Sequence, residues 1–292
     1  MNEYKYSISC ATQDKKKFYT FATNGKFPNP IDFNITTDPT RQSIYGDITI
    51  HNVKKQACDE LVLTYNPRIN FIVQFYLGYK SNYSRVFTGL CVESTKEVDD
   101  NLLTSITLNL QGGVFNGTPI KLNFNVGTTN YQIKQAVANM LKLTLKSAID
   151  NDNDIIQEQK IIDTFNPIAE LKRLFPEQNV FVVDDKLCFF PANASTKRYL
   201  KPTIKHNKWV MVDKIQKIQN TGTYEYTTKF LLFPQISVGD YIEVKQTNIY
   251  KQYNGLYLVR MTRHSGNIDY RGESDASTTC ILQDARKLFL VQ

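Results

Sequence analysis

The sequence has few of the glycines, prolines and cysteines that are typical of disordered, fibrous or disulfide-stabilised chains. Of 292 residues, 13 are Gly, 10 are Pro, five are Cys and one is Trp. Disordered and collagen-like chains contain more Gly and Pro, and fewer apolar residues than the 41% found here. The composition therefore predicts a folded protein with a substantial core.

Long apolar runs are also lacking. The first 17 residues mix Tyr, Ser and Lys without an apolar segment of signal-peptide length. Elsewhere no run reaches the roughly 18 apolar residues of a membrane span. We therefore expect neither export by the general route nor membrane anchoring.

The cysteines are odd in number, widely spaced and without a CxxC pair, which disfavours a disulfide framework or a zinc knuckle. Such cysteines suit a reducing compartment, and their mostly apolar or alternating neighbours indicate buried small side chains. The five are Cys10, Cys58, Cys91, Cys188 and Cys280.

The charge balance is mildly basic. Lys and Arg number 35 and Asp and Glu 28, so the net charge is +7 with the three His neutral. The excess is spread along the chain, which makes it weak support for a polyanion partner. No specific nucleic-acid partner is predicted.

Motifs for catalysis or cofactor binding are missing. His51, His206 and His264 have no potential ligand partner three or four residues further along the chain, and no HExxH, GxSxG, Walker or GxGxxG sequence occurs. We therefore predict no catalytic residue, no cofactor and no metal site.

Acidic and basic clusters are interpreted as solvated loops or turns. The acidic candidates are Asp99-Asp100, Asp184-Asp185 and the 150–154 stretch, which lacks the Gly and the Glu of a calcium loop. Lys15–Lys17 before Phe18 and Tyr19, and the looser 197–208 cluster, are the only candidates for a nucleic-acid patch.

The first third of the sequence predicts short strands. Four runs have apolar residues at mostly alternate positions, the pattern of a strand with one buried face. Gly78 and Gly89 are interpreted as breaks between strands. The runs are 31–35, 44–53, 71–77 and 102–110.

The middle of the chain changes to a helical period. Thr129 is a candidate cap for a helix whose inner face consists of Ile133, Val137, Met140 and Leu141.

A second predicted helix begins at Asn166-Pro167, and its inner face consists of Ile168, Leu171, Leu174 and Phe175. Two apolar runs, 180–183 and 187–190, then predict a hairpin.

The last third returns to strands. Runs at 224–233, 241–244, 256–261 and 278–282 indicate strands, and Trp209–Val212 resembles an ordinary one. Asn254-Gly255 predicts a tight hairpin turn, and His264–Gly266 is interpreted as the start of a polar loop.

These patterns predict an α+β fold that is mostly β. Two β domains, residues 1–115 and 201–292, flank a small module of two helices and a hairpin at 116–200; the first is predicted as a sandwich or barrel and the second as a small barrel. The resemblance described next implies that both are tube-like β-barrels.

Two stretches of the first region resemble the baseplate hub proteins of phage tails. Ile31–Ile35 followed by Ser43–Val53 is similar to the opening strands of that family. Val73–Tyr79 with Arg85–Leu90 resembles its "L-x-A-G-Y … I-F-x-G-x-I" segment, with Leu77 in place of a small residue.

The last region carries a third match. Leu231–Val244, Tyr253–Val259 and Thr262–Asn267 are similar to the family's "L-x-P-x-I-x-x-G-D … N-G-x-Y-x-V … H-x-G-D" run, with Asn267 in place of Asp. The three matches follow the family's order over residues 31–282. The family comprises tail hubs of contractile-tailed phages and related injection systems, the late control D-like proteins.

The resemblance implies a late, non-enzymatic virion protein. In this family two barrels mimic tail-tube domains, and a homotrimer arranges six barrels in a pseudo-sixfold ring. The implied partners are other copies of the chain, the tail tube or distal tail protein, the central spike and the tape measure protein. Such hubs assemble in the bacterial cytoplasm and reside in the tail baseplate.

Two other functions remain open from the sequence. A tail-associated peptidoglycan hydrolase would need a Glu in an apolar pocket, and Glu170 is the nearest candidate, although Arg173 predicts a surface ion pair. A single-stranded nucleic-acid-binding barrel is the other alternative.

Overall fold

The protein was analysed as a computed structural model. The structure describes residues 4–12, 17–23, 29–38, 43–62, 71–79, 82–98, 104–112, 119–147, 153–183, 186–191, 204–206, 216–218, 225–244, 251–269 and 274–285.

The first region consists of seven strands and one short helix. They are β1 Tyr4–Thr12, β2 Phe18–Ala22, β3 Ile31–Asp38, β4 Ser43–Ile50, α1 Lys55–Val62, β5 Phe71–Tyr79, β6 Asn82–Val98 and β7 Thr104–Gly112. The strands pair in the order β3-β4-β7-β6-β5-β1-β2.

This sheet curls around a shared core. In a flat sheet, β3 and β5 would lie about 19 Å apart, because three strands separate them. The rings of Phe33 and Phe75 nevertheless make an edge contact with centroids 5.5 Å apart. The side chain of Tyr6 in β1 also donates to the carbonyl of Asn29, just before β3. The two ends of the sheet therefore approach each other as in a barrel.

The middle module has its own core between two helices and two small sheets. Its elements are β8 Ile120–Phe124, α2 Asn130–Met140, β9 Thr144–Ser147, β10 Lys160–Thr164, α3 Pro167–Leu174, β11 Gln178–Val183 and β12 Lys186–Pro191. β8 pairs with β10, and β12 lies between β11 and β9. Both helices, and the predicted hairpin of β11 and β12, are present.

The caps of both helices follow from the sequence. Thr129 forms a capping box with Gln132, in which each side chain bonds the other residue's backbone. The side chain of Asn166 accepts the amide of Ala169, and Pro167 begins α3.

The last region consists of strands around a third core. They are β13 Ile204–His206, β14 Gln216–Lys217, β15 Glu225–Leu231, β16 Tyr241–Val244, β17 Gly255–Ile268 and β18 Ser277–Asp284, with a single 3₁₀ turn at Lys251–Tyr253. Phe230, Ile242, Tyr257, Cys280 and Leu282 are buried together there.

One strand pair joins the first and last regions. β17 runs antiparallel to β3, with Ile268 opposite Ile31 and Thr262 opposite Thr37. Both regions therefore belong to one 13-stranded sheet. The sequence predicts two separate sets of strands, and in this respect the prediction is wrong, because β17 is long enough to pair with both sets.

Strands that are longer than predicted account for two further corrections. β17 continues through His264–Gly266, which the sequence predicts as a loop. β6 likewise continues through Gly89, and Gly78 lies inside β5, so neither glycine breaks a strand. At Gly89 a side chain would overlap the backbone of Gln111 in β7.

The predicted tight turn at Asn254-Gly255 is also wrong. Gly255 already pairs with Val244 at the start of β17, so the link between β16 and β17 spans the intervening residues and includes the 3₁₀ turn. In α2 the predicted inner residue Met140 is half exposed, whereas Ala138 and Lys134 are buried with Ile133 and Val137.

The fold class is confirmed, because the protein is α+β and mostly β. All five cysteines are buried, as predicted, with none in a disulfide. No helix among the described residues is both long and apolar enough to cross a bilayer. The domain boundaries stay a prediction.

Several predictions fall outside the described residues. They concern the Trp209–Val212 strand, Asp99-Asp100, Asp184-Asp185, most of the 197–208 basic cluster, Lys15, Lys16 and most of the 150–154 loop.

Candidate functional site

Glu170, the candidate catalytic acid, forms an ion pair on the surface of α3. Its Oε1 lies 2.6 Å from Nη2 of Arg173, one helical turn further along. Hydrogen bonding to Arg173 lowers the pKa of Glu170. A glycosidase acid needs the opposite shift, because it must hold a proton near neutral pH. The arrangement is that of the surface ion pair expected from the sequence.

A Ser-His-Asp cluster lies on the outer face of the first region, where no sequence motif indicates one. Nε2 of His51 lies 2.7 Å from Oδ2 of Asp32, and Nδ1 lies 3.1 Å from Oγ of Ser105. The three residues come together because His51 follows β4, which lies between β3 and β7.

The setting of this cluster differs from that of a hydrolytic triad. Asp32 is exposed, and His51 is partly so, on the open face of a sheet. A triad depends on a desolvated pocket with donors for an oxyanion. The open pocket lined by Phe18, Tyr19 and Asn29 includes none of these three residues. The cluster is best interpreted as cross-strand hydrogen bonding.

The candidate nucleic-acid patch around Lys17 is partly neutralised. Nζ of Lys17 lies 3.2 Å from Oε2 of Glu60 in α1, and the hydroxyl of Tyr19 donates to the same carboxylate. These two hydrogen bonds lower the pKa of Glu60, so it stays ionised. Phe18 remains exposed beside an open pocket of about 350 Å³ that also contacts Lys54 and Ala57.

Metal ligation finds no support in the described ranges, where no three His, Cys, Asp or Glu side chains group in a way that could hold an ion. Of the three histidines, His51 belongs to the surface cluster and His264 is buried.

The middle module docks onto the last region through a polar and an apolar contact. Nζ of Lys146 in β9 lies 3.4 Å from both Oδ1 of Asp240 and the carbonyl of Val238. Beside this pair, the ring of Phe190 covers Gly239, whose φ is +82°. A side chain at residue 239 would overlap that ring. The glycine-aspartate turn is therefore the contact point between the two units.

Solved structures share this fold over nearly the whole chain. The 43 kDa tail protein of prophage MuSo2 from Shewanella oneidensis aligns with a TM-score of 0.55 and 12% identity, covering 99% of this chain and 98% of its own. The E. coli c3393 protein, a type VI secretion component similar to T4 tail proteins gp27 and gp5, aligns with a TM-score of 0.52 and 10% identity. This alignment covers 89% of the present chain and 75% of the c3393 chain.

A chain of the Francisella PdpA-VgrG complex aligns with a TM-score of 0.53 and 11% identity over 98% of this chain. This chain spans only 58% of that longer protein. No family model and no curated protein matches the sequence.

The fold is therefore the one found in phage tail proteins and in components of type VI secretion. At these identities the likeness concerns the fold alone. It agrees with the resemblance to tail hub proteins that the sequence motifs indicate.

Proposed function

We propose that the chain is a structural protein of a phage tail, or of a related contractile injection system, and that it forms the baseplate hub. The observation that supports this most is the end-to-end correspondence with the MuSo2 tail protein, which leaves almost no part of either chain unmatched. A curled β region and a second β region joined to it in one sheet, with a small inserted module, are compatible with the two tube-like barrels of such a hub.

The proposed assembly is a homotrimer with six β units in a pseudo-sixfold ring. The ladder ends at β14 and β2, which pair on one side only among the residues that the structure describes. Free strand edges favour pairing with other chains, and a head-to-tail contact between copies closes into a ring. The tail tube or distal tail protein above, the central spike below, and the tape measure protein are the proposed partners, and the virion baseplate is the proposed location.

The role is proposed to be non-enzymatic. Glu170 has the wrong electrostatic environment for an acid catalyst, and the Ser105-His51-Asp32 cluster lies on an open face. A peptidoglycan zymogram with the wild type, Glu170→Gln and Ser105→Ala tests this. We expect no clearing from any of them. Clearing by the wild type that is lost in either variant would overturn the non-enzymatic role.

Electron microscopy of the purified protein, alone and with its spike, tests the assembly. We expect ring-shaped particles that show six similar densities around the axis and three chains per particle. Single chains at high concentration in both samples would contradict the hub.

A further inference from the structure

β2 has an outer backbone edge that pairs with no other strand in the part of the chain that the structure describes. On the inner side, the amide of Thr12 in β1 donates to the carbonyl of Lys17 over 3.1 Å. Antiparallel strands bond through alternate residues, so Phe18 and Thr20 point their N–H and C=O groups away from β1. Such an edge is a template for another strand. We call it the β2 edge.

An open pocket of about 350 Å³ follows the β2 edge. Its lining includes residues 18–21 in succession, although their side chains alternate between the two faces of the strand. The opposite wall contains Asn52, Lys54 and Ala57, and no residue of β1, so the pocket lies on the unpaired side of β2. Phe18, with 66% of its surface accessible, stands at the pocket. The pocket therefore leaves room beside the free backbone groups for an added segment.

The rim of this pocket is basic. Lys54 lines the pocket and Lys55 follows it, and both are exposed. Neither lysine has an ion-pair partner among the described residues. Glu60 of α1 is already bound by Lys17 and Tyr19. A segment that fills the pocket should therefore carry carboxylates together with an apolar side chain that contacts Phe18.

The middle module presents a segment with these features. Residues 153–159, which we call the acidic segment, contain Asp154 and Glu158 and no Lys or Arg. Between the two carboxylates lies Ile155, with 51% of its surface accessible. Glu158 pairs with Lys160 over 3.4 Å, but its side chain is 81% exposed, so this pair contributes little and can be exchanged for another.

The backbone of the acidic segment also has a free edge. The carbonyl of Asp154 accepts the amide of Asn130, and the amide of Ile156 donates to the carbonyl of Thr128, both over 2.9 Å. In such an antiparallel bridge the residue between them faces the other way, so the N–H and C=O groups of Ile155 point away from the module. The segment can therefore add a second partner on that side.

We propose that the acidic segment of one copy of the chain adds to the β2 edge of the next copy. Ile155 covers Phe18, and the two carboxylates of the segment face the two lysines of the rim. A second copy is the favoured occupant because the chain itself carries the matching charge, apolar side chain and unpaired backbone. The two surfaces differ, so the contact is head-to-tail and can close into a ring. This inference rests on the proposed hub function and names one contact of its trimer.

Cross-linking of the full chain tests the contact, because all native cysteines are buried and give little background. Thr20→Cys on the β2 edge and Gln157→Cys in the acidic segment are combined in one chain and treated with a short bismaleimide. We expect covalent dimers and trimers on a denaturing gel. Thr20→Cys with Glu177→Cys, which is exposed elsewhere on the middle module, is the matched control and should stay at the mass of one chain.

Exchange of charges tests the ion pairs. Lys54→Glu or Glu158→Lys alone should raise the concentration at which the trimer dissociates on the order of tenfold, because each change brings like charges together. The two changes combined restore opposite charges and should return this concentration towards the wild-type value. Lys5→Glu, exposed on β1, is the control and should leave it unchanged. Mass photometry over a dilution series measures the effect.

The outcomes separate the inference from the proposed function. Wild-type trimers whose Thr20-Gln157 variant cross-links no more than the Glu177 control would overturn the inference and leave the hub standing. So would a combined charge exchange that stays as weak as the single changes. A benzophenone attached to Thr20→Cys that links to the spike instead of the acidic segment would also overturn it. Failure of the wild type to form trimers, alone or with its spike, would overturn the hub and the inference together.

Discussion

His264 in β17 is a buried, neutral side chain opposite Thr278 of the neighbouring strand β18. Its Nδ1 lies 2.9 Å from Oγ1 of Thr278, which also accepts the amide of Phe233. Burial lowers the pKa of His264 to about 4, because the charged ring would lose its hydration.

This pKa shift predicts a loss of stability in acid. Between pH 6.5 and about 4 the unfolded chain binds a proton at residue 264 that the folded chain does not bind, so stability is full above pH 6.5 and falls below it. The loss reaches on the order of 3 kcal/mol near pH 4. Urea unfolding from pH 7.5 to 4.5, with His264→Gln as the comparison, checks this. A difference between the two proteins that is independent of pH would contradict it.

Gly239 is required both by its backbone and by its neighbour. Gly239→Ala should lower the free energy of unfolding by about 2 kcal/mol or more, because Ala disfavours positive φ and would overlap the Phe190 ring. Gly127→Ala is a matched control, since φ there is +89° but nothing lies within 4 Å of the added carbon. We expect a cost of about 1 kcal/mol at Gly127. Equal effects in urea denaturation would show that the ring contact contributes nothing.

At the scale of single residues, the sequence predicts what depends on local rules. Thr129 and Asn166 are recognisable caps because capping depends on the next three residues. Lys134 shows the limit of such rules. Its ammonium lies over the rings of Phe175 and Phe189, 4.7 and 4.8 Å from their centroids, so a lysine occupies a core position. Only the tertiary arrangement of α2, α3 and β12 makes this favourable.

At the scale of elements, the contact between the middle module and the last region centres on Asp240. The carboxylate is buried, accepts the amide of Ser237 over 2.9 Å and pairs with Lys146 across the boundary. A buried charge with such partners is costly to disturb.

Removal of the Asp240 charge should lower the stability of the whole protein. Asp240→Asn is expected to lower the free energy of unfolding by about 2 kcal/mol, because hydrogen bonds to a charged group are stronger than those to a neutral amide. Glu170→Gln removes a charge from an exposed pair and should leave stability within experimental error. Differential scanning calorimetry of both variants measures this. A stable Asp240→Asn protein would show that the pair is incidental to docking.

Element length was harder to predict than element type. The sequence pattern does not predict α1, because only Cys58 and Leu61 of its eight residues are buried, too few for a helical period. The sequence predicts a loop at His264–Gly266, inside β17, because polar residues and a glycine resemble a loop. The partners of β17, namely β3, which is distant in sequence, and β18, which is the next strand, satisfy the backbone there.

At the scale of the whole molecule, the continuous sheet changes how a ring can be built. In the proposed ring, each chain would contribute two β units, and the β3-β17 ladder constrains their relative position. The sequence motifs indicated the tail hub family and the number of β regions. The ladder could not be predicted, because nothing local in residues 31–38 indicates a partner more than 200 residues away.

The stoichiometry in solution tests this account most directly. Mass photometry and analytical ultracentrifugation of the purified protein, with and without its spike, should give a particle of three times the 33.6 kDa chain mass. A particle that remains at the mass of one chain at high concentration, in both samples, would contradict the hub.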